Sequence, residues 1–204
     1  MIEALVAGLA RLIAGGSARW HSDPAAEHQR IYFANHTSHL DFVLIWSHLP
    51  TRLRARTRPV AARDYWERGR LRRYLARGVF NAVLVDRAGA GPAAERGRKA
   101  VDAMVGGLGD DHSLILFPEG TRGSGEAVAS FRSGLYHLTR ARPDVELVPV
   151  ALENLNRILP KGEAIPVPMI SRVTFGAGMH LEPGEDKNAF LERARRAVER
   201  LRDT

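Results

Sequence analysis

The order of apolar and polar positions along the chain predicts strands and helices that alternate. Short apolar runs, such as 31–34 and 114–117, are typical of strands buried on both faces of a sheet. Longer segments with apolar residues three or four apart are typical of helices. These patterns predict strands over 31–34, 60–62, 79–85, 114–117, 146–152 and 172–178, and helices over 40–50, 64–76, 92–108, 133–140 and 187–200. The alternation favours an α/β fold: a single domain with a mostly parallel central sheet flanked by helices.

The N-terminal segment predicts an additional amphipathic helix. Its apolar residues at helical spacing are Ile2, Leu5, Val6, Leu9, Leu12 and Ile13. A helix of this length extends about 20 Å, less than the ~30 Å of a bilayer core, so we do not expect it to span a membrane. No basic leader precedes the apolar run, as a secretory signal would require. Packing on the rest of the chain and lying in a membrane interface both remain open. We predict a membrane-associating helix over residues 1–18, followed by a domain over residues 30–204.

Composition narrows the choice of chemistry. A chain of 204 residues is long enough for one domain with a substantial core. Its formal net charge of +7 favours an anionic partner, such as anionic lipid, nucleic acid or a phosphorylated substrate. Cysteine is absent from the sequence. Disulfides, thiolate zinc sites and cysteine nucleophiles are therefore excluded.

The first polar segment with chemical potential is Asn35–Asp41, directly after the strand predicted at 31–34. His36 and Asp41 are five residues apart at a place where open α/β sheets carry reactive groups. An imidazole held by a carboxylate is suited to accept a proton from an alcohol near neutral pH. Two alternatives remain open: Ser38 and Asp41 form a capping box, or His36, His39 and Asp41 bind a metal. We predict a catalytic dyad of His36 and Asp41, without a metal.

A second polar segment follows the strand predicted at 114–117. Here Gly120 permits a tight turn that presents backbone N–H groups to an anion, and Arg122 can hold a phosphate bidentately. Thr121 contributes a hydroxyl, and Glu119 is suited to accept hydrogen bonds from a substrate or to orient the arginine. Arg87 follows another predicted strand and is expected to be a second phosphate ligand. An ordinary surface turn with a Glu–Arg pair is the alternative.

Together these residues resemble the lysophospholipid acyltransferase family, of which 1-acyl-glycerol-3-phosphate acyltransferase is the best-known member. Asn35–Asp41 matches the His-x4-Asp block, and Phe117–Arg122 resembles the third block of the family. The second and fourth blocks have similar counterparts at 78–87 and 148–152. The lysine often found upstream of the second block has at best a loose counterpart in Arg63. The resemblance covers about residues 30–155.

The resemblance implies transfer of a fatty acyl group from acyl-CoA or acyl carrier protein to the hydroxyl of a lysophospholipid. The expected acceptor is 1-acyl-glycerol-3-phosphate, with other lysolipids such as lyso-ornithine lipid as alternatives. The resemblance also implies that His36 is the general base and Asp41 its orienting carboxylate. It assigns Arg87, Glu119, Gly120 and Arg122 to a glycerophosphate pocket. Direct attack on the thioester needs no cofactor and no acyl-enzyme. We expect a peripheral enzyme on the cytoplasmic face of the cell membrane, with an anionic membrane surface as partner and no nucleic acid. Segment 154–162 is either part of the acceptor site or a plain loop.

Two other classes of function have less support from the sequence. A non-catalytic basic module for membrane or nucleic acid would explain the net charge but neither polar segment, and no nucleic-acid-binding motif is present. A serine hydrolase would need a nucleophile elbow, and the sequence contains no Gly-x-Ser-x-Gly.

Overall fold

The computed structural model describes residues 2–14, 17–21, 23–38, 40–86, 92–153 and 171–203. The strands are β1 Ser17–Trp20, β2 Arg30–Ala34, β3 Thr57–Ala62, β4 Val83–Val85, β5 Ser113–Leu116, β6 Glu146–Glu153 and β7 Arg172–Phe175. The helices are α1 Ile2–Ala14, α2 Asp41–His48, α3 Thr51–Ala55, α4 Arg63–Trp66, α5 Arg70–Tyr74, α6 Ala93–Leu108, α7 Gly134–Ala141 and α8 Lys187–Arg202. A π-helical turn, Leu75–Val79, follows α5.

The described strands form one seven-stranded sheet in the order β1-β7-β6-β2-β5-β3-β4. The five strands from β6 to β4 are mutually parallel, whereas β7 runs antiparallel to β6 and pairs in parallel with β1. The predicted α/β fold, with a mostly parallel sheet, flanking helices and an N-terminal helix, is confirmed.

The two faces of the sheet carry separate apolar clusters. Along β2, Tyr32 and Ala34 face the cluster that contains α2, while Ile31 and Phe33 face the cluster that contains α6, α7 and α8. All four side chains are 0% exposed, which is why this strand is a continuous apolar run in the sequence.

The connections on either side of β2 diverge at its carboxyl end. The chain leaves β2 through α2 over one face and leaves β5 through α7 over the other, and β6 then pairs on the far side of β2. Ligands in open α/β sheets bind where neighbouring connections diverge in this way. The two polar segments predicted from the sequence follow these two strands.

Several details differ from the prediction, including helix α3, which was not predicted, and β7, which ends at Phe175 rather than at residue 178. The helix predicted over 64–76 is divided into α4 and α5 at Gly69, whose φ of 86° belongs to the left-handed region. The strand predicted over 79–85 begins at Val83, because the π-helical turn occupies the residues up to Val79. Strand β1 was not predicted.

At the amino-terminal end of β2 lies a buried ion pair. Arg30 is 2% exposed, and its Nε donates a 2.7 Å hydrogen bond to Oε2 of Glu146 at the start of β6. His28 contacts the same carboxylate oxygen at 2.7 Å. This pair links two central strands at the end opposite to His36.

Helix α1 packs on α2 through its small residues and leaves its large apolar residues outside. Ala7 is 0% exposed and Val6 is partly buried against the α2 cluster. The large apolar side chains exposed on α1 are Ile2 at 44%, Leu5 at 71%, Leu9 at 53% and Leu12 at 78%. No helix in the described part of the chain is long and apolar enough to span a bilayer.

Candidate active site

The segment after β2 is fixed to the sheet by an asparagine. The Asn35 side chain donates from Nδ2 to the Leu152 carbonyl at 2.9 Å and accepts from the Leu152 N–H at 2.8 Å. It is 3% exposed, so its amide replaces the ladder hydrogen bonds that would otherwise continue between β2 and β6. The chain therefore leaves the sheet at a defined place, one residue before His36.

His36 and Asp41 form the predicted pair. The imidazole Nδ1 lies 2.8 Å from Oδ2 of Asp41, whose side chain is 0% exposed, while the imidazole is 18% exposed. Because an ionised carboxylate accepts hydrogen bonds, Nδ1 carries the proton and Nε2 is left with its lone pair. The pair is thus arranged as a base and its orienting group.

Asp41 also organises the loop that carries His36. Its Oδ2 accepts the backbone N–H groups of Thr37 at 2.6 Å and Ser38 at 2.9 Å. The capping box that the sequence offered as an alternative is incomplete, because α2 begins at Asp41 after Leu40 and no side chain caps it. Instead, the Ser38 hydroxyl accepts the Leu40 N–H at 3.3 Å. One carboxylate oxygen therefore holds both the loop backbone and the imidazole.

The imidazole is supported on one face by Phe117, the residue after β5. The two rings are stacked, with centroids 4.2 Å apart and planes 17° apart. Phe117 packs against the α2 cluster. This contact limits rotation of the imidazole and covers it with apolar surface.

The second polar segment contacts the first through Glu119. Its Oε1 accepts the backbone N–H of His36 at 2.8 Å, and its Oε2 accepts the N–H of Ala129 at 3.3 Å. The side chain is 5% exposed. Burial raises the pKa of Glu119, and the hydrogen bonds from His36 and Ala129 oppose that rise.

Gly120 makes the tight turn that the sequence predicts. Its φ is 73°, and a Cβ at this position would lie 2.6 Å from Nε of Arg132. That guanidinium donates from Nε to the Glu119 carbonyl at 3.1 Å. Thr121 is exposed and Arg122 is partly buried. The Arg122 guanidinium makes no hydrogen bond or ion pair to another described residue, so it is available to an anion.

The structure thus brings His36 into direct contact with both Asp41 and Glu119, with Gly120, Thr121 and Arg122 in the adjoining turn. Arg87, His39 and segment 154–162 lie outside the described residues. Within the described ranges, no group of three His, Asp or Glu side chains is arranged to hold a metal ion.

Sequence reasoning missed three contributors, each without a motif of its own. Asn35 and Phe117 stood inside the quoted segments without a role, and Arg132 lay beyond them. Their apolar or long-range contacts give no local signal.

Arg63, the loose counterpart of the family's lysine, donates from Nε to Oδ1 of Asp86 at 3.0 Å, which places a cation at the carboxyl end of β4.

Comparison with known proteins identifies a shared fold and a family. The chain is similar to the crystal structure of the 1-acyl-sn-glycerophosphate (LPA) acyltransferase PlsC from Thermotoga maritima, with a TM-score of 0.72 and 16% sequence identity. The similarity covers 99% of this chain and 78% of that one, and it demonstrates a shared fold. No curated protein matches the chain by sequence. The family model described as acyltransferase matches residues 18–153, most of the chain, including both polar segments. The protein therefore belongs to the acyltransferase family and is an acyltransferase enzyme.

Proposed function

We propose that the protein transfers a fatty acyl group from an acyl-CoA or acyl carrier protein thioester to the free hydroxyl of a lysophospholipid. The expected acceptor is 1-acyl-glycerol-3-phosphate, and the product is phosphatidic acid. The observation that carries the proposal is the 2.8 Å contact between His36 Nδ1 and the buried Asp41 carboxylate, because it leaves Nε2 free to act as a base.

In this mechanism the acceptor hydroxyl gives its proton to Nε2 of His36 while its oxygen bonds to the thioester carbonyl carbon. Asp41 stabilises the imidazolium that forms. The tetrahedral intermediate then breaks its C–S bond, and the imidazolium returns the proton to the leaving thiolate. No acyl-enzyme is required, which fits a chain without cysteine.

The acceptor phosphate is proposed to bind at the turn after β5. Thr121 supplies a hydroxyl and Arg122 a guanidinium without another partner among the described residues. Gly120, whose own N–H donates to the Phe117 carbonyl at 3.0 Å, provides the tight turn that carries them. We propose Arg87, the second residue after β4 in the sequence, as a second ligand. The name of the Thermotoga maritima protein, an LPA acyltransferase, supports a phosphorylated acceptor.

The base is tested with His36→Ala, which should lower kcat by about 10²–10⁴-fold without unfolding the protein. The matched control is His180→Ala, an exposed histidine far along the chain. A colorimetric thiol reagent can follow thiol release from acyl-CoA, since the chain contains no cysteine that would react. Turnover within tenfold of the wild-type rate in His36→Ala would overturn the assignment.

The acceptor is tested with a panel of lysolipids and with Arg122→Ala. That variant should raise KM for lysophosphatidate by about 10–100-fold and leave KM for the thioester unchanged, because a charge-assisted contact is lost from one substrate alone. Arg200→Ala on α8, where the arginine is exposed, is the control. Equal changes in both KM values would contradict the pocket. Faster turnover with lyso-ornithine lipid than with any phosphorylated acceptor would favour that alternative.

We also propose that the protein binds the cytoplasmic face of an anionic membrane as a peripheral protein, with acyl carrier protein as the alternative donor to acyl-CoA. The large hydrophobic side chains exposed in the described part of the chain are Ile2, Leu5, Leu9, Leu12, Leu71 and Tyr74. They lie on α1 and α5. Helix α1 and the π-helical turn that continues α5 pack on the same apolar cluster. The exposed positions around Leu71 include Arg68, Arg70 and Arg73, which suit anionic lipid.

Membrane binding is tested by co-sedimentation with vesicles of phosphatidylglycerol or phosphatidylcholine. Replacing Leu5 and Leu9 together by Asn should weaken binding to phosphatidylglycerol vesicles by about 10²–10⁴-fold, since each leucine buried in the membrane contributes roughly 1.5–3 kcal/mol. Arg200→Asn is the control, on a helix that packs against the other face of the sheet. Unchanged partition of the double variant would refute this mode of attachment.

A further inference from the structure

The backbone of His36 is held on both sides by a single loop. Its N–H donates to Oε1 of Glu119 at 2.8 Å, and its carbonyl accepts the N–H of Gly123 at 2.8 Å. In a strand-to-helix loop, backbone N–H and carbonyl groups ordinarily form hydrogen bonds with water or within their own turn. Here the loop after β5 fixes the residue that carries the proposed base.

The carboxylate of Glu119 faces the protein interior. One oxygen is bonded to the His36 N–H and the other to the Ala129 N–H, and the side chain is 5% exposed. Gly123 closes over it, since a Cβ there would lie 3.4 Å from Oε2 of Glu119. Little of the carboxylate surface is therefore open to a substrate.

We propose that Glu119 is a positioning residue that fixes His36, and is not a ligand of the acceptor. The proposal rests on the proposed function only in taking His36 as the base. Glu119 lies in the loop after β5, and its carboxylate bonds to His36 in the loop after β2 and to Ala129. These bonds keep the imidazole in its place between Phe117 and Asp41. Reacting groups displaced by about 1 Å lose roughly 10²-fold in rate, which sets the scale of the effect.

The kinetic test uses two replacements of Glu119. In Glu119→Gln an amide oxygen can still accept the His36 N–H, but the amide N–H₂ opposes the Ala129 N–H. We expect kcat to fall about 10-fold in Glu119→Gln and about 10²–10³-fold in Glu119→Ala, where both N–H groups lose their acceptor. Both KM values should stay within about twofold. Glu126→Gln, an exposed glutamate in the same loop, is the control and should be unchanged.

A second test needs no turnover. In the free enzyme, the proton shared by His36 Nδ1 and Asp41 should give a downfield NMR signal. We expect that signal to shift or broaden in Glu119→Gln and to be unchanged in Glu126→Gln, with thermal melting used to confirm that both variants are folded. A role in acceptor binding alone would leave this signal untouched and raise the acceptor KM instead. Either of those results would overturn the positioning role.

The two proposals fail separately. If His36→Ala retains turnover, the assignment of the base is wrong, whatever Glu119 does. If His36→Ala is inactive but Glu119→Ala has wild-type kcat and an unshifted Nδ1–H signal, the base stands and the positioning role is wrong.

Discussion

Replacing Asp41 by Asn changes one atom of a fully buried side chain at the centre of the site. An amide oxygen at the Oδ2 position can still accept the N–H groups of Thr37 and Ser38, which lie 2.6 and 2.9 Å from that oxygen in the wild-type protein. The new NH₂ group would occupy the place of Oδ1, which has no hydrogen-bond partner among the described residues. The loop should therefore persist, while the negative charge next to His36 disappears.

The charge sets the magnitude of the expected effect. An imidazolium and a carboxylate at the observed 2.8 Å attract by about 6 kcal/mol at an effective dielectric constant of 20. Losing all of that in the transition state would slow the reaction by about 10⁴-fold. Because proton transfer is partial in the transition state and the amide oxygen still accepts a hydrogen bond, we expect kcat to fall by about 10²–10⁴-fold. The buried NH₂ group without an acceptor should lower the free energy of unfolding by about 1–3 kcal/mol.

The assay is thiol release from acyl-CoA at saturating acceptor, together with thermal melting of each variant. Asp102→Asn on α6 supplies the same chemical change at an exposed site. Wild-type kcat, within about tenfold, in an Asp41→Asn protein that melts cooperatively would refute the view that this carboxylate supports an imidazolium.

Two further predictions concern residues outside the dyad. Gly120→Ala should lower both the melting temperature and kcat, since the φ of 73° at this position disfavours a side chain and the added methyl would lie 2.6 Å from Nε of Arg132. The double variant Gly120→Ala with Arg132→Ala should recover part of the lost stability. If it recovers none, backbone strain alone is responsible. Glu146→Gln should lower the free energy of unfolding at pH 7 by about 2–4 kcal/mol, because it leaves the buried Arg30 cation without its counter-charge. Although burial alone would raise the pKa of Glu146, hydrogen bonds from His28 and Arg30 outweigh it and lower that pKa. The stabilisation is thus complete above the unfolded value of about 4.3, and it is lost as the pH falls through the lower folded value. Denaturant unfolding at pH 7 and pH 3 should show the variant's deficit shrinking in acid; an equal deficit at both would contradict the ionic origin.

Much of the fold is encoded locally. The central parallel strands were predictable because burial on both faces makes each of them an apolar run, as in β2 and β5. Strand β1 was not, because three of its four residues are exposed at the sheet edge. The break between α4 and α5 depends on the positive φ of Gly69, and a glycine inside a helical pattern does not reveal its φ.

The site was only partly predictable for a similar reason. His36 and Asp41 are five residues apart, so their contact follows from the geometry of one loop. The bond from His36 to Glu119 joins residues 83 positions apart, and that between Asn35 and Leu152 joins residues 117 apart. Such contacts depend on strand order, which no local spacing contains. The sequence could therefore place Glu119 in the correct loop, but not describe what its carboxylate touches.

The pairing of β1 with β7 bears on how far the protein can be shortened. Residues Ser17–Trp20 cover the outer edge of Arg172–Phe175, and the rings of Trp20 and Phe175 are stacked with centroids 3.7 Å apart. A deletion that ends before Ser17 would remove the apolar helix α1 and keep β1 at this edge. A deletion that continues through Trp20 would leave β7 as an exposed edge strand, with unpaired backbone donors and acceptors beside the exposed ring of Phe175. Molecules of the truncated enzyme would then associate by pairing at this edge.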